Sequence, residues 1–344
     1  MNSRAPSTPL AALLPVTLLT GFLGSGKTTV LNHLLRQPGL SRTAVIVNEL
    51  GEVGIDHDLV ETASEDLVLL KSGCVCCSVR SDLVDTLRSL FQRRIRGQIA
   101  EFDRVVIETT GLADPAPVLH TLINDPLISA RFRLDGVIVT VDAVSGGDTL
   151  DRAVEAVKQA AVADSIVLTK TDLADAEAVE RLTDRLRALN PAAPITQAVN
   201  GAVDPAGLFD IGLYNPATKT LDVQRWLNEE AFEDHHHHGS DLSRHDDHIR
   251  SFVSTLDRPI SAGELDRWLE MLVAFQGANL LRVKGIVNVA DRTGPVIIQG
   301  VQHVFHAPVT LDAWPSDDRR TRIVFITRDL DEAALRNTLN LFDH

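Results

Sequence analysis

Short β-branched runs, separated by stretches with apolar residues at helical spacing, fill the first two thirds of the chain. Pro15 to Thr20, Thr43 to Asn48, Asp66 to Lys71, Arg104 to Glu108, Gly136 to Ala143, Ser165 to Lys170 and Pro194 to Val199 have the character of buried parallel strands. Between them, Thr28 to Leu35, Ser81 to Arg96, Leu150 to Ala163 and Asp175 to Leu189 read as helices. In the second of these, Leu83, Leu87, Leu90 and Phe91 share one face, with Arg88, Arg93 and Arg94 on the other. The alternation predicts an α/β fold, a doubly wound and mostly parallel sheet of six or seven strands.

From about Tyr214 the pattern turns polar, and it becomes compact again at Ile249. Ile249 to Thr255, Leu280 to Val289, Val296 to Phe305 and Arg322 to Thr327 read as strands, and Asp331 to Leu341 as a helix. Ser261-Ala262-Gly263-Glu264 is a capping box that opens another helix, with Leu265, Trp268, Leu269, Leu272 and Phe275 facing inward. This part predicts a smaller α+β domain with an antiparallel sheet, in which His303 and His306 are strand or strand-end residues. The expected division is a disordered lead-in over 1–10, a P-loop domain over 11–214, a linker over 215–247 and a second domain over 248–344, matching a length of 344 residues.

The chemistry enters at the end of the first strand. Gly21-Phe22-Leu23-Gly24-Ser25-Gly26-Lys27-Thr28-Thr29 fits the phosphate-binding pattern G-x-x-x-x-G-K-[ST], in the strand–loop–helix context it requires. A Gly-rich turn exposes backbone N–H groups, the following helix contributes its positive end, and Lys27 adds a cation. Thr28 places a hydroxyl for Mg²⁺. The fourth strand ends in Glu108-Thr109-Thr110-Gly111, an acidic residue suited to Mg²⁺ through water and a glycine suited to sensing a γ-phosphate through its N–H. The sixth ends in Thr169-Lys170-Thr171-Asp172, where the carboxylate can accept from N1–H and the exocyclic amine of guanine and the lysine stem can lie along the base. GTP is therefore the expected nucleotide. Thr169 stands where the usual motif has Asn and offers fewer donors, which bears on the strictness of guanine selection.

Two further loops carry metal-binding character. Glu49 and Glu52 follow the second strand, as candidates for a metal ligand or for orienting water. All three cysteines of the chain, Cys74, Cys76 and Cys77, follow the third. Thiolates on one short loop suit Zn²⁺, Co²⁺ or Cu⁺, with Glu49 or Glu52 available as a fourth ligand; an inert buried cluster is the alternative. The run His235, His236, His237, His238 beside Glu233 and Asp234 is a loose auxiliary site at most, or a solvated linker.

Composition narrows the partners. A net charge of −14 opposes a general nucleic-acid or anionic-membrane partner. The longest early apolar run, Leu10 to Leu19, is too short to span a bilayer and lacks a signal-peptide layout, so the expected location is cytoplasmic. Oligomeric state is left open, a homodimer included.

Taken together, the P-loop, Glu108-Thr109-Thr110-Gly111, Thr169-Lys170-Thr171-Asp172 and Cys74-x-Cys76-Cys77 resemble the CobW-type GTPases, the metal-chaperone branch of SIMIBI-class P-loop proteins. Leu280-Leu281-Arg282-Val283-Lys284-Gly285, Gly300-Val301-Gln302-His303-Val304 and Trp314-Pro315 are similar to that family's second domain. The resemblance implies a slow GTPase with no visible arginine finger, in which Lys27 holds the β/γ-phosphates, Thr28 the Mg²⁺, Glu108 its water and Asp172 the base; the nucleotide set is Gly21, Gly24, Ser25, Gly26, Lys27, Thr28, Thr29, Gly111, Thr169, Lys170 and Asp172, with Glu49 as a further catalytic candidate. It further implies Zn²⁺ or Co²⁺ on the cysteines, released to a client metalloprotein on GTP hydrolysis. The competing readings are a metal buffer or sensor with nucleotide as regulatory ligand, and an activator of one metalloenzyme such as a nitrile hydratase.

Overall fold

The structure, a computed structural model, describes residues 12–48, 68–72, 79–212, 214–215, 220–221, 227, 248–330 and 332–340. The lead-in, the loop with Glu49 and Glu52, the loop with Cys74, Cys76 and Cys77, and the His235–His238 run lie outside the described residues. Two compact units emerge. One draws on the chain up to Thr149, on Ala163–Leu182 and on Pro194–Leu221; the other on Leu150–Val162, Thr183–Ala193 and the chain from Asp222 onward.

In the first unit, β1 (Leu14–Gly21), β2 (Thr43–Asn48), β3 (Val68–Ser72), β4 (Arg104–Glu108), β5 (Phe132–Asp142), β6 (Ser165–Thr169) and β7 (Ile195–Ala198) form one sheet in the order β3-β2-β4-β1-β5-β6-β7. Every pairing is parallel, as the unbroken Val, Ile and Leu runs predict. α1 (Lys27–Leu35) buries Val30, Leu31, Leu34 and Leu35 in a core shared with Leu19, Val45, Val106, Ile138 and Val167. Each such side chain removed from water contributes about 1.5–3 kcal/mol. α2 (Val79–Ile95) buries Leu83, Leu87 and Leu90, with Phe91 at the edge of the contact.

The segment from Gly111 to Phe132, which periodicity leaves unassigned, folds as α3 (Ala116–Asn124) and α4 (Pro126–Ser129). Pro115 and Pro126 both stand at helix starts, where a missing N–H costs nothing. Asp125 caps α4, accepting from Leu127 N and Ile128 N. The single helix expected over Leu150 to Ala163 is instead α5 (Gly146–Arg152) and α6 (Val154–Val162), broken at Ala153. Just ahead of α5 the Asp142 carboxylate accepts the Val144 and Ser145 amides, closing the turn out of β5. α7 (Ala176–Leu189) follows β6.

A buried polar knot lies near the start of β5. Asp135 Oδ1 accepts from Arg133 at 3.0 Å, and its Oδ2 accepts from the Asp210 amide at 2.7 Å and Thr17 Oγ1 at 3.4 Å. Arg104 pairs with Asp210 and stacks over Phe209, so the chain after β7 is pinned to the sheet. Burial raises the Asp135 pKa, against the pull of Arg133.

In the second unit, β10 (Ile249–Leu256), β11 (Leu280–Val287), β12 (Val296–Val301), β13 (Val304–Phe305), β14 (Val309–Thr310) and β15 (Thr321–Arg328) make an antiparallel sheet ordered β10-β15-β11-β12-β13, with β14 also on β12. The run Val296 to Phe305 is thus two strands; Gln302, at φ 52°, turns the chain between them. A two-stranded ribbon, β8 (Tyr214–Asn215) with β9 (Thr220–Leu221), stands where a linker is expected. α8 (Ala262–Gln276) opens on the Ser261–Glu264 capping box and seats Leu265, Trp268 and Leu272 against Phe252, Val283 and Phe325. Trp268 also donates to Thr338 on α9 (Glu332–Asn340). Phe275 departs from expectation: it is 78% exposed, near the end of α8, while Leu265, Trp268 and Leu272 take the core face.

Replacing Asp135 with Ala orphans three donors and is expected to cost about 3 kcal/mol, read from the urea unfolding midpoint. A raised pKa makes this carboxyl's contribution fully present below its unfolded value and lost as pH rises through the folded one. The stability difference between wild type and Asp135→Asn should therefore shrink as pH is raised from about 4 to 7.

Candidate functional site

The carboxyl edge of the parallel sheet gathers the loops after β1, β4, β5, β6 and β7. The phosphate loop runs from Gly21 to Gly26, and Gly26 enters α1 in the left-handed region at φ 85°. Its carbonyls are tied off one after another. Lys27 Nζ, largely buried, donates to Gly21 O at 3.0 Å and Phe22 O at 3.2 Å. Lys170 Nζ donates to Gly24 O at 2.8 Å, and Thr169 Oγ1 to Ser25 O at 2.8 Å. Ser25 Oγ meets Thr140 Oγ1 at 2.6 Å.

β4 delivers its acidic residue to the start of α1. Thr28 Oγ1 donates to Glu108 Oε1 at 2.7 Å, with Glu108 buried. Thr109 donates from its amide to Leu19 O and from its hydroxyl to Thr20 Oγ1, fixing the strand end against β1. Gly111 then passes so close to the phosphate loop that an added Cβ would stand 2.5 Å from Leu23 N. That backbone contact makes any side chain at 111 a displacement of one loop or the other.

On the β6 side, Lys170 takes φ 56° and bonds Asp142 Oδ2 at 2.6 Å as well as Gly24 O. Burial works against the Asp142 carboxylate, but the Lys170 bond and the Val144 and Ser145 amides outweigh it and lower its pKa. Asp172 stands exposed two residues further on. The loop after β7, Val199-Asn200-Gly201, completes this side and escaped the sequence reading. A Cβ on Gly201 would lie 2.5 Å from Thr29 O, so the loop presses on the first turn of α1. Its signal was the Asn-Gly pair after a short strand.

The structure therefore brings together Gly21, Gly24, Ser25, Gly26, Lys27, Thr28, Thr29, Glu108, Gly111, Thr169 and Lys170, with Asp172 on the same edge. Glu49, Glu52, Cys74, Cys76, Cys77 and His235–His238 are outside the described residues, but the strand ends that lead into the first two loops are placed. Asn48 of β2 pairs Ser72 of β3, and Val47 of β2 pairs Glu108 of β4. At about 4.8 Å per strand, the end of β3 is about 10 Å from the end of β4. Among the described residues no group of three or more His, Cys, Asp or Glu is arranged to hold a metal, and no helix is long and apolar enough to cross a membrane.

Thr169→Ala removes the hydroxyl that holds Ser25 O and Val141 O, a loss of about 1–1.5 kcal/mol. Affinity for GTP and GDP should fall together by about five- to tenfold, measured with a fluorescent nucleotide. A drop confined to GTP would contradict a purely loop-holding role for this hydroxyl.

Residues 15–197 match the family described as CobW/HypB/UreG, nucleotide-binding domain, and residues 249–342 match the cobalamin synthesis protein cobW C-terminal domain. The zinc chaperone YjiA of Escherichia coli (strain K12) is 35% identical over 323 residues, covering 94% of this chain and 96% of that one. The zinc chaperone CobW of Sinorhizobium sp is 32% identical over 356 residues, covering 94% and 95%. The crystal structure of Zn(II)-bound YjiA GTPase from E. coli superposes with a TM-score of 0.69 at 32% identity, covering 95% of this chain and 98% of that one. With both its domains matched in order, the chain belongs to the CobW/HypB/UreG family.

Proposed function

We propose that this chain is a GTP-driven metallochaperone that holds Zn²⁺ or Co²⁺ through Cys74, Cys76 and Cys77 and passes it to a client metalloprotein. The chain is a GTPase of the CobW type. The observation that carries the chaperone reading is the strand order: β3, which leads into the cysteines, lies two strands from β4, which ends in Glu108. Anything that moves the end of β4 on binding nucleotide is about 10 Å from the root of the cysteine loop, and the end of β2 is about half as far. The relatives' names favour zinc as the cargo.

Within this reading, Lys27 balances the β/γ-phosphate charge, and Asp172 reads the guanine edge. The paired oxygens of Thr28 and Glu108, 2.7 Å apart and half or more buried, suit a small hard cation, so they would hold Mg²⁺, Glu108 through water. Mg²⁺ there would supply neutralisation of the charge that develops on the phosphates. Gly111 presents its backbone beside the phosphate loop, placed to respond to a γ-phosphate. Glu49 and Glu52 are proposed as added ligands for the transition metal or, for Glu49, as a group orienting the attacking water. The His235–His238 run is proposed only as weak auxiliary metal capacity.

GTP and metal then bind the same conformation, and each raises the other's affinity by the same factor. Titrating Co²⁺ into the apo-protein with a non-hydrolysable GTP analogue or with GDP, read by thiolate-to-cobalt absorption, should show about a five- to hundredfold tighter fit with the analogue. Cys76→Ala and Cys77→Ala should each abolish that difference while leaving nucleotide affinity unchanged. Equal metal affinity with the two nucleotides removes the basis of the chaperone mechanism and favours a metal buffer or sensor.

A further inference from the structure

On the first unit, α2 and the α4–β5 turn enclose an open groove of about 290 Å³ that no part of the nucleotide site uses. One wall is a single helical face, Arg88, Phe91, Gln92 and Ile95, at i, i+3, i+4 and i+7. Opposite stand Leu127, Arg131 and Phe132. Phe91 and Phe132 meet edge to face at 5.9 Å and form an aromatic floor, over which the Arg131 guanidinium sits 5.5 Å from the Phe91 ring. Ile95 and Leu127, large apolar side chains, are 66% and 57% exposed at the rims. A volume at the low end for small-molecule sites fits one or two side chains better than a cofactor.

Charge decides what would fill it. The chain carries −14 overall, yet the groove is lined by Arg88 and Arg131 and, among the described residues, by no carboxylate, with Arg96 just beyond the end of α2; Arg94 is engaged with Phe102 instead. Arg88 and Arg96 are exposed and make no ion pair with the described residues. The neighbouring Asp125 caps α4 through Leu127 N and Ile128 N and forms no ion pair with Arg131. Among the described residues the Arg131 guanidinium reaches Ala130 O and the Phe91 face. A cationic, aromatic-floored groove in an acidic protein complements an acidic peptide with Leu, Ile or Phe side chains; exposed arginines and aromatics are the residue types that anchor such contacts.

We infer that this groove docks an acidic, apolar-bearing peptide segment of a second protein. It rests on the chaperone reading only for the partner's purpose: α2 begins two residues after Cys77, and the groove lies about 14–24 Å along that helix, so a seated client is held within one helix length of the cysteines.

The test pans a displayed library of random twelve-residue peptides on the full chain without metal or nucleotide. Synthetic copies of the enriched peptides are then titrated by fluorescence anisotropy. Enriched peptides should combine carboxylates with Leu, Ile or Phe, and their binding should weaken with added salt. Both the Arg88→Glu, Arg131→Glu chain and Leu127→Ser should bind them about tenfold or more weakly, with basal GTPase rate unchanged as the check on folding. Neutral or basic winners, no winners, or winners indifferent to both variants overturn the proposal. Direct binding of phosphatidylserine vesicles or of a single-stranded oligonucleotide that displaces the peptide from the wild-type chain, and that is lost in the double charge reversal, also overturns it by assigning the groove to a polyanion. Because neither metal nor GTP is present, failure here leaves the Co²⁺ coupling experiment untouched, and the reverse holds too.

Discussion

A loop binds phosphate with its amides only if its carbonyls are turned away and held. In this chain that constraint is met by side chains from three different elements. Lys27 of α1 takes Gly21 O and Phe22 O, Lys170 takes Gly24 O, and Thr169 at the end of β6 takes Ser25 O. Each carbonyl left without such a partner would swing toward the ligand side and oppose the phosphate charge. The loop's shape is therefore a property of β6 and α1 as much as of its own glycines. Asp142 extends the same logic: its carboxylate fixes Lys170, and Lys170 fixes Gly24.

Because that brace is built from charge-assisted bonds within a sheet edge, strand order becomes functional. β1 sits between β4 and β5, so the phosphate loop has Glu108 on one side and, through β5, Thr169 on the other. β2 and β3 continue outward from β4. Motion at the γ-phosphate end of the nucleotide would reach Gly111 first, since its backbone already touches Leu23. A parallel sheet with each strand hydrogen-bonded to the next is stiff along this direction, which suits relaying a small displacement between loops rooted on adjacent strands.

Much of this was legible in the sequence because it is local. Seven buried runs, four helices and three nucleotide motifs each announce themselves within a few residues, and the parallel sheet follows from their alternation. What was not legible is non-local. Asp135 meets Thr17 from 118 residues away and Asp210 from 75, and nothing in either neighbourhood marks the pairing. Thr169 read as a weak stand-in for Asn because donors were counted without knowing the acceptors; one hydroxyl near both Ser25 O and Val141 O does the bracing. The helices that start at Pro115 and Pro126 went unassigned, since they are short and a proline marks a helix start as readily as an end. Phe275 had the right period to be core, but period alone does not say where along α8 the core ends.

The distribution of cations follows from the same accounting of partners. An acidic protein that must hold a triphosphate keeps Lys27 and Lys170 on the phosphate loop and spends Arg104 and Arg133 on the Asp135–Asp210 knot. Each of the four is held by carbonyls or carboxylates within the unit. Arg94 on α2 is likewise engaged, donating to Phe102 O and covering the Phe102 ring, but Arg88 stands exposed and answers to no such demand: Leu83, Leu87 and Leu90 already secure the helix. A helix stabilised by its apolar face tolerates almost any polar residue on the other. Arg88 and Arg131, flanking an open aromatic floor in a chain of opposite net charge, are therefore the cations that an approaching acidic segment would meet.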